Sequence, residues 1–179
     1  MKTLIAALGL VAATACLHRA PTLPAPIPKI EGGQHVLFAL RYTDIDVGSG
    51  ASVEPRKCVY VHYTGWLTDG KKFDSSRDTT NDGKPRPPLS FPQGARRVIA
   101  GWDLGFEGMK VGGRRRLFIP YQLAYGEAGR PPVIPPKAEL VFDVELMAVA
   151  DTLPRAEPTP RGQPAPPPQC PPWTAVSGR

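Results

Sequence analysis

The residue types that most often carry covalent or metal chemistry are few and scattered in this chain. It has three cysteines and three histidines. The cysteines share no metal-ligand spacing, and no histidine has a cysteine or carboxylate partner at catalytic spacing. No serine lies in a nucleophile elbow, and His62 falls inside an apparent strand. We therefore expect no metal and no cofactor, and any chemistry here should need neither a nucleophile nor a phosphate-binding loop.

Large apolar residues recur instead, at spacings that predict strands and one helix. Runs rich in β-branched and aromatic residues predict strands over residues 36–45, 58–67, 73–76, 89–91, 114–119 and 139–147. A stripe at three- and four-residue steps, Ile99, Trp102, Phe106 and Met109, predicts a short helix. Gly101 weakens this helix, so packing must hold it. Such elements predict an α+β fold, with a curved antiparallel sheet of about five strands wrapped around one short α-helix.

The alternation along two strands predicts which side chains face the core. Val59, Val61 and Tyr63 share one face of their strand. In the last strand the charged Asp143 and Glu145 must face outward, so Phe142 faces the core.

The N-terminus has the pattern of an export signal. After Lys2 comes an apolar run that is too short to cross a bilayer and ends at the small-residue site Ala13-x-Ala15. Residues 1–15 therefore predict a signal peptide, and residues 16–33 a proline-rich linker. Cleavage after Ala15 leaves Cys16 first, which resembles a bacterial lipoprotein site and makes Cys16 the candidate lipidation residue. Ordinary cleavage, giving a periplasmic protein without a lipid anchor, is the alternative.

The prolines also cluster near the C-terminus, in residues 151–179, which we expect to be a disordered tail after a domain at 34–150. If Cys16 is acylated, Cys58 and Cys170 are an even pair. Because Cys170 lies in this tail, we interpret the two as independent thiols.

The formal charge of +6 comes mostly from the two flanks, so it does not indicate nucleic-acid binding. The run of residues 114–116, three arginines, is interpreted as solvated surface.

Six segments in order resemble the successive signatures of FKBP-type peptidyl-prolyl cis/trans isomerases. They are VHYTG (61–65), KFDSS (72–76), VIxGW (98–102), AYG (124–126), IPP (134–136) and LVFDVEL (140–146). The resemblance implies a sheet wrapped around the helix with a pocket between them. It implies catalytic residues at Tyr63, Phe73, Asp74, Trp102, Tyr125 and Phe142. It implies substrate-binding residues at Leu89, Phe91, Val98, Ile99, Val133 and Ile134.

The implied reaction fits a chain without a nucleophile, because rotating an X-Pro amide makes no bond and moves no proton. On this interpretation Trp102 is the floor under the proline ring, and the Ile134 backbone N–H and Tyr125 hydroxyl hold ligand carbonyls. Asp74 is an orienting acceptor rather than a base. Leu89, where the family usually has an aromatic residue, predicts a softer pocket wall, and Pro132 replaces a usual glycine.

The expected partners are proline-containing unfolded or exported polypeptides, with macrolides as further ligands, and a membrane only through a lipid anchor. A non-catalytic module or chaperone that binds proline segments of envelope proteins is the alternative function. A third possibility is a lipoprotein scaffold that uses its tail for partner contacts.

Overall fold

The computed structural model of the chain describes residues 24–28, 35–37, 40–153 and 168–177. The predicted signal peptide and Cys16 lie outside the described residues. Within these ranges, no helix is both long and apolar enough to cross a membrane.

One antiparallel sheet contains all of the strands that are described. The strands are β1 (His35–Leu37), β2 (Leu40–Asp46), β3 (Cys58–Leu67), β4 (Lys72–Ser75), β5 (Leu89–Pro92), β6 (Arg114–Ile119) and β7 (Leu140–Ala150). Their order is β1-β2-β6-β7-β3-β4, and β5 pairs with β3 as well. Together with α1 (Ala100–Gly105), the one α-helix in the described part of the chain, this confirms the predicted α+β fold with a sheet around one short helix.

The described sheet has seven strands rather than about five. The predicted single strand over residues 36–45 forms the antiparallel pair β1 and β2, in which Leu37 lies opposite Leu40. The short strands β4 and β5 pair with different parts of β3. The long loop that connects β4 to β5 therefore begins and ends beside β3.

The core lies between α1 and the concave face of the sheet. It includes Trp102, Phe106 and Met109 from the predicted stripe, together with Phe142 from β7. Helix α1 approaches β6 so closely that a Cβ on Gly101 would lie 2.3 Å from Ile119 Cγ2. A glycine is therefore required there, and packing rather than helix propensity holds α1.

The interpretation of the three arginines as solvated surface was wrong for two of them. Arg115 donates to Asp44 at 2.6 Å, and also to the Gly105 carbonyl at 2.8 Å at the end of α1. Arg116, 2% exposed, donates two hydrogen bonds to the Asp143 carboxylate. A bidentate carboxylate pair for Arg116, and one carboxylate with two backbone carbonyls for Arg115, let these guanidinium groups be buried. A count of charges along the sequence does not reveal such partners.

Part of the predicted N-terminal linker packs on the outer face of the sheet. Ile27 is buried in a cluster with Trp66, Phe118 and Val141. The Pro28 carbonyl accepts a hydrogen bond of 2.6 Å from Arg116. Residues 24–28 are therefore fixed to the domain, although the composition predicted only extended linker.

Part of the predicted C-terminal tail is also bound to the domain, at the opposite end of β3. Cys170 forms a disulfide with Cys58, so the interpretation of two independent thiols was wrong. The Tyr60 hydroxyl donates to the Pro171 carbonyl at 2.6 Å, and the Trp173 ring lies 5.7 Å from the Tyr60 ring, centroid to centroid. The expected disorder thus does not apply to residues 168–177, while residues 154–167 lie outside the described part. Ala150, at the end of β7, pairs with Cys58, so the chain enters the tail beside the cysteine that the disulfide uses.

Candidate active site

The candidate site is built on the part of β3 that pairs with both β4 and β7. Opposite Gly65 lie Asp74 on one side and Phe142 on the other. A Cβ on Gly65 would lie 2.7 Å from Phe73 Cζ and 2.7 Å from Phe142 Cε1. The missing side chain lets two aromatic rings meet directly above the strand.

Trp102 is at the centre of an aromatic cluster on this surface. Ring centroids lie 5.0 Å from Tyr63 and 5.3 Å from Phe142, both in edge-to-face geometry. Phe73 extends the cluster through an edge-to-face contact of 5.5 Å with Phe142. These distances are those at which edge-to-face rings attract each other, so the four rings form a pre-organised apolar surface.

The indole of Trp102 is 4% exposed, and its Nε1–H has no hydrogen-bond acceptor among the described residues. Leaving a buried donor unpaired costs about 1–3 kcal/mol. A core residue selected only for packing would avoid this cost. The observation favours a role for Trp102 beyond filling the core.

Tyr63 and Asp74 form the polar part of the site. The Tyr63 hydroxyl donates to Asp74 Oδ2 at 2.6 Å, and Asp74 is exposed. Burial and the bond to Asp74 together raise the pKa of Tyr63 well above that of a free tyrosine. The phenol therefore stays protonated and remains a donor throughout the neutral range.

Two loops complete the surroundings of the cluster. Tyr125 follows the 3-10 turn Tyr121–Leu123 and is half-buried. Ile134, 4% exposed, closes a short loop in which its N–H donates to the Arg130 carbonyl at 3.0 Å. The predicted use of the Ile134 N–H for a ligand carbonyl conflicts with this bond, because the donor is already engaged within its own loop.

The remaining predicted substrate-binding residues separate into three groups. Val98 and Ile99, which precede α1, are half-buried and pack against the core. Phe91 is buried behind Trp102, 5.8 Å from it between ring centroids, and belongs to the core. Leu89 and Val133 are 40% and 42% exposed.

Two features of this surface escaped the sequence analysis. The backbone N–H of Ile99 donates to no described residue, and a backbone donor leaves no signal in residue types. Arg130 places its guanidinium 5.8 Å from the centroid of the Tyr125 ring. The position of Arg130, in a glycine- and proline-rich loop beside a predicted site residue, was a signal that could have been used.

The described residues contain no group of three or more His, Cys, Asp or Glu side chains that could hold a metal ion. The arrangement instead offers an apolar surface edged by a phenol hydroxyl, a carboxylate and a backbone N–H. Such a surface can bind and desolvate a compact apolar ring and a neighbouring amide.

Comparisons with known proteins agree with this arrangement. Residues 50–147 match the family described as FKBP-type peptidyl-prolyl cis-trans isomerase. The chain is 54% identical over 111 residues to FK506-binding protein 4 of Dictyostelium discoideum, covering 62% of this chain and 28% of that protein. It is 49% identical over 106 residues to an FK506-binding protein of Neisseria meningitidis serogroup B, covering 59% of this chain and 92% of that protein.

Solved structures show the same likeness. The crystal structure of FkpA from Escherichia coli is matched with a TM-score of 0.58 and 42% identity, over 68% of this chain and 53% of FkpA. That of AtFKBP13 is matched with a TM-score of 0.55 and 39% identity, over 63% of this chain and 94% of AtFKBP13.

Proposed function

Because the chain belongs to the FKBP-type peptidyl-prolyl cis-trans isomerase family, we propose that the aromatic cluster around Trp102 is the surface on which it twists X-Pro amides. The observation that carries this proposal is the edge-to-face arrangement of Tyr63, Trp102 and Phe142 beside the Tyr63–Asp74 hydrogen bond. The domain's activity is that of a peptidyl-prolyl isomerase, and the proposal assigns the residues that perform it.

The reaction needs an environment rather than a reactive group. Rotation about an X-Pro amide is opposed by a barrier of about 18–20 kcal/mol, because amide conjugation must be broken. An apolar surface disfavours the charge-separated resonance form, and a surface shaped to the twisted proline lowers the barrier further. Trp102 would lie under the proline ring, with Tyr63, Phe73 and Phe142 as walls.

The polar groups would orient the substrate around this ring. Asp74 accepts from Tyr63 and so fixes the phenol at the edge of the cluster. The N–H of Ile99, the residue before α1, donates to no described residue and is therefore available to hold a substrate carbonyl. It replaces the Ile134 N–H in the role that the sequence had suggested, and Tyr125 keeps its proposed role at the rim.

We extend the proposal to macrolide ligands. Several relatives carry FK506 in their names. The same aromatic walls offer this chain an apolar surface for such a compound. Leu89 is exposed and smaller than an aromatic residue, so the pocket wall is smaller on its side. The affinity for a macrolide should therefore be lower than with an aromatic residue at this position.

The proposed location is outside the cytoplasm, with exported polypeptides as substrates. Two features support it: the signal-like residues 1–15 and the disulfide between Cys58 and Cys170, a bond that persists in oxidising compartments. Whether Cys16 carries a lipid anchor or the protein is free in the periplasm is decided by the mass of the mature N-terminus. Acylated Cys16 as first residue is the expected result, and a free amine there rejects the anchor.

The experiment for the proposed function is a protease-free assay of the domain with a Leu-Pro peptide, in which exchange between the isomers is measured by NMR. We expect the exchange to be clearly faster than the uncatalysed isomerisation, which takes tens to hundreds of seconds. Binding without acceleration would instead support the alternative of a non-catalytic module.

A further inference from the structure

A cleft lies between the docked part of the tail and the end of β7. Its volume is about 650 Å³. It is lined by residues 147–153, by Ala51 and Val111, and by Pro171, Trp173 and Val176 of the tail. The residues assigned to the candidate active site are all described, and none of them lines this cleft. It is therefore a separate concave surface, which we call the tail cleft.

One edge of the sheet forms the floor of the tail cleft. All of residues 147–153 line the cleft, so it follows the strand along its length instead of lying on one face of alternate residues. On this side of β7, the pairing with β6 reaches only to Glu145. Gly112 and Gly113 bond to Leu146. No strand in the described part of the chain continues this pairing, so the edge of β7 is open beyond Leu146.

A β-bulge adds to the open groups of this edge. Tyr60 of β3 lies opposite Ala148. The next residue, Val61, lies opposite Leu146, so no residue of β3 lies opposite Met147. Beyond Leu146, β7 spans about 13 Å at about 3.3 Å per residue. An open edge of this length presents N–H and C=O groups to which a short extended chain can add as a further strand.

The two walls beside this edge are apolar. The residues on either side of Tyr60 in β3 belong to the core, so Tyr60 faces the outer side of the sheet. Trp173 lies on Tyr60 and forms the outer wall together with Val176. Val111 packs against the core and forms the opposite wall. An extended chain between these walls would place its alternate side chains against apolar surface on both of its faces.

The outer wall depends on the bonds that dock the tail. The disulfide joins Cys170 to Cys58. The Leu153 N–H donates to the Gln169 carbonyl at 2.8 Å, and the hydroxyl of Tyr60 donates to the tail as well. Because the disulfide is the covalent bond among these, its reduction should loosen the outer wall and leave the edge of β7 in place.

We propose that the tail cleft binds an extended, apolar and proline-free segment of an unfolded polypeptide, which adds a strand to the edge of β7. Proline is excluded because it lacks the N–H that strand pairing requires. A segment of about four residues fills the edge, and one of about two residues is too short to do so. The inference goes beyond the proposed function, since the Trp102 cluster takes proline whereas the tail cleft takes the sequence between prolines.

The test is an NMR titration of the oxidised full chain with the peptide Lys-Val-Leu-Val-Thr-Lys, acetylated and amidated at its ends. The amide signals of Met147 and Ala148 and the indole N–H signal of Trp173 should shift saturably, while the indole signal of Trp102 stays in place. The same peptide with N-methyl groups on both Val residues and Leu should bind at least about tenfold more weakly, because methylated amides cannot donate to the edge.

Variants assign the binding to the two walls of the cleft. Trp173→Ala, with the disulfide intact, should weaken binding about tenfold, because it removes the aromatic part of the outer wall. Val133→Ala is the matched control: Val133 is an exposed apolar residue outside the cleft, so the affinity should not change. Cys170→Ser, or reduction of the wild-type protein, should weaken binding at least as much as Trp173→Ala. An unchanged indole signal of Trp102 identifies the folded domain in each variant.

The proposal is overturned if the amides of residues 147–150 do not shift, if the methylated peptide binds equally well, or if Trp173→Ala keeps the full affinity. It is also overturned if the same amides shift with protein concentration in the absence of peptide, since a second copy of this chain would then occupy the edge. Failure of the Leu-Pro isomerisation assay would instead reject the proposed function and leave this inference standing.

Discussion

Trp102 and Asp74 show how differently two neighbouring site residues are supported by the structure. Trp102 is almost fully buried and contacts four aromatic rings, whereas Asp74 is exposed and, among the described residues, accepts a hydrogen bond from the Tyr63 hydroxyl alone. Function and stability should therefore separate at Asp74 and coincide at Trp102.

Substituting these two residues tests that separation. Asp74→Ala should lower turnover and change the free energy of unfolding by no more than about 0.5 kcal/mol, because it removes an exposed acceptor. Trp102→Ala should lower both, since deleting a buried aromatic side chain costs about 3–5 kcal/mol. Melting curves and isomerisation rates of both variants give the answer, with Asp46→Ala as an exposed acidic control that pairs with Arg114. If Asp74→Ala unfolds the domain, Asp74 is structural and its assignment to the site is wrong.

His62 gives a pH dependence of stability. Its pKa is lowered below the usual 6.5, mainly by burial and then by the charge of Arg77, while Glu145 acts in the opposite direction. A lowered pKa in the folded state means that the unfolded chain binds the proton first, so stability is lost as the pH falls below about 6.5. In His62→Gln this loss should be smaller, and the imidazole of the wild-type protein should titrate by NMR below 6.5. A titration midpoint of His62 at or above 6.5 would contradict the lowering of its pKa by burial.

The residues of the candidate site could be grouped from the sequence because they belong to contiguous motifs in a fixed order. Tyr63, Phe73, Trp102 and Phe142 come together in the structure as the motifs implied. The sequence did not predict that the Ile134 N–H donates to Arg130, because a backbone hydrogen bond across a loop depends on the loop's path and not on its residue types.

At the scale of elements, the main correction concerns the flanks of the domain. Their proline content predicted extended chain, yet residues 24–28 and 168–177 pack on the outer face of the sheet. Composition could not reveal this, because a few specific contacts decide it: one buried isoleucine at the N-terminal side, and one disulfide with one tyrosine hydroxyl at the other.

The disulfide should make the docked part of the tail a stabilising element. It links residues 112 positions apart, and closing a loop of that size typically contributes about 2–5 kcal/mol. Cys170→Ser should lower the free energy of unfolding by an amount in this range, and a reductant should have the same effect on the wild-type protein. Cys170 is the better residue to replace, because Cys58 is fully buried and a serine there would add a buried hydroxyl. Equal free energies of unfolding for the oxidised, reduced and substituted proteins would show that the disulfide does not stabilise the fold.

At the scale of the whole molecule, the two faces of the sheet have different tasks. The concave face packs on α1 and forms the Trp102 cluster, while the outer face carries the two docked flanks. The fold class could be predicted from the alternation of apolar residues, since it depends on pattern alone. The number of strands could not be predicted, because the residues of β1 and β2 form one continuous strand-like run in the sequence. Their antiparallel pairing is visible only in the structure.

The central claim is that proline segments bind at the Trp102 cluster, and the three tryptophans of the chain allow a direct test. Trp66 lies under Ile27, Trp173 lies on Tyr60, and Trp102 is at the proposed site. In an NMR titration with a Leu-Pro peptide, the indole N–H signal of Trp102 should shift saturably while those of Trp66 and Trp173 stay in place. A matched Leu-Ala peptide should shift none of them. A saturable shift at Trp66 or Trp173 with no change at Trp102 would contradict the account.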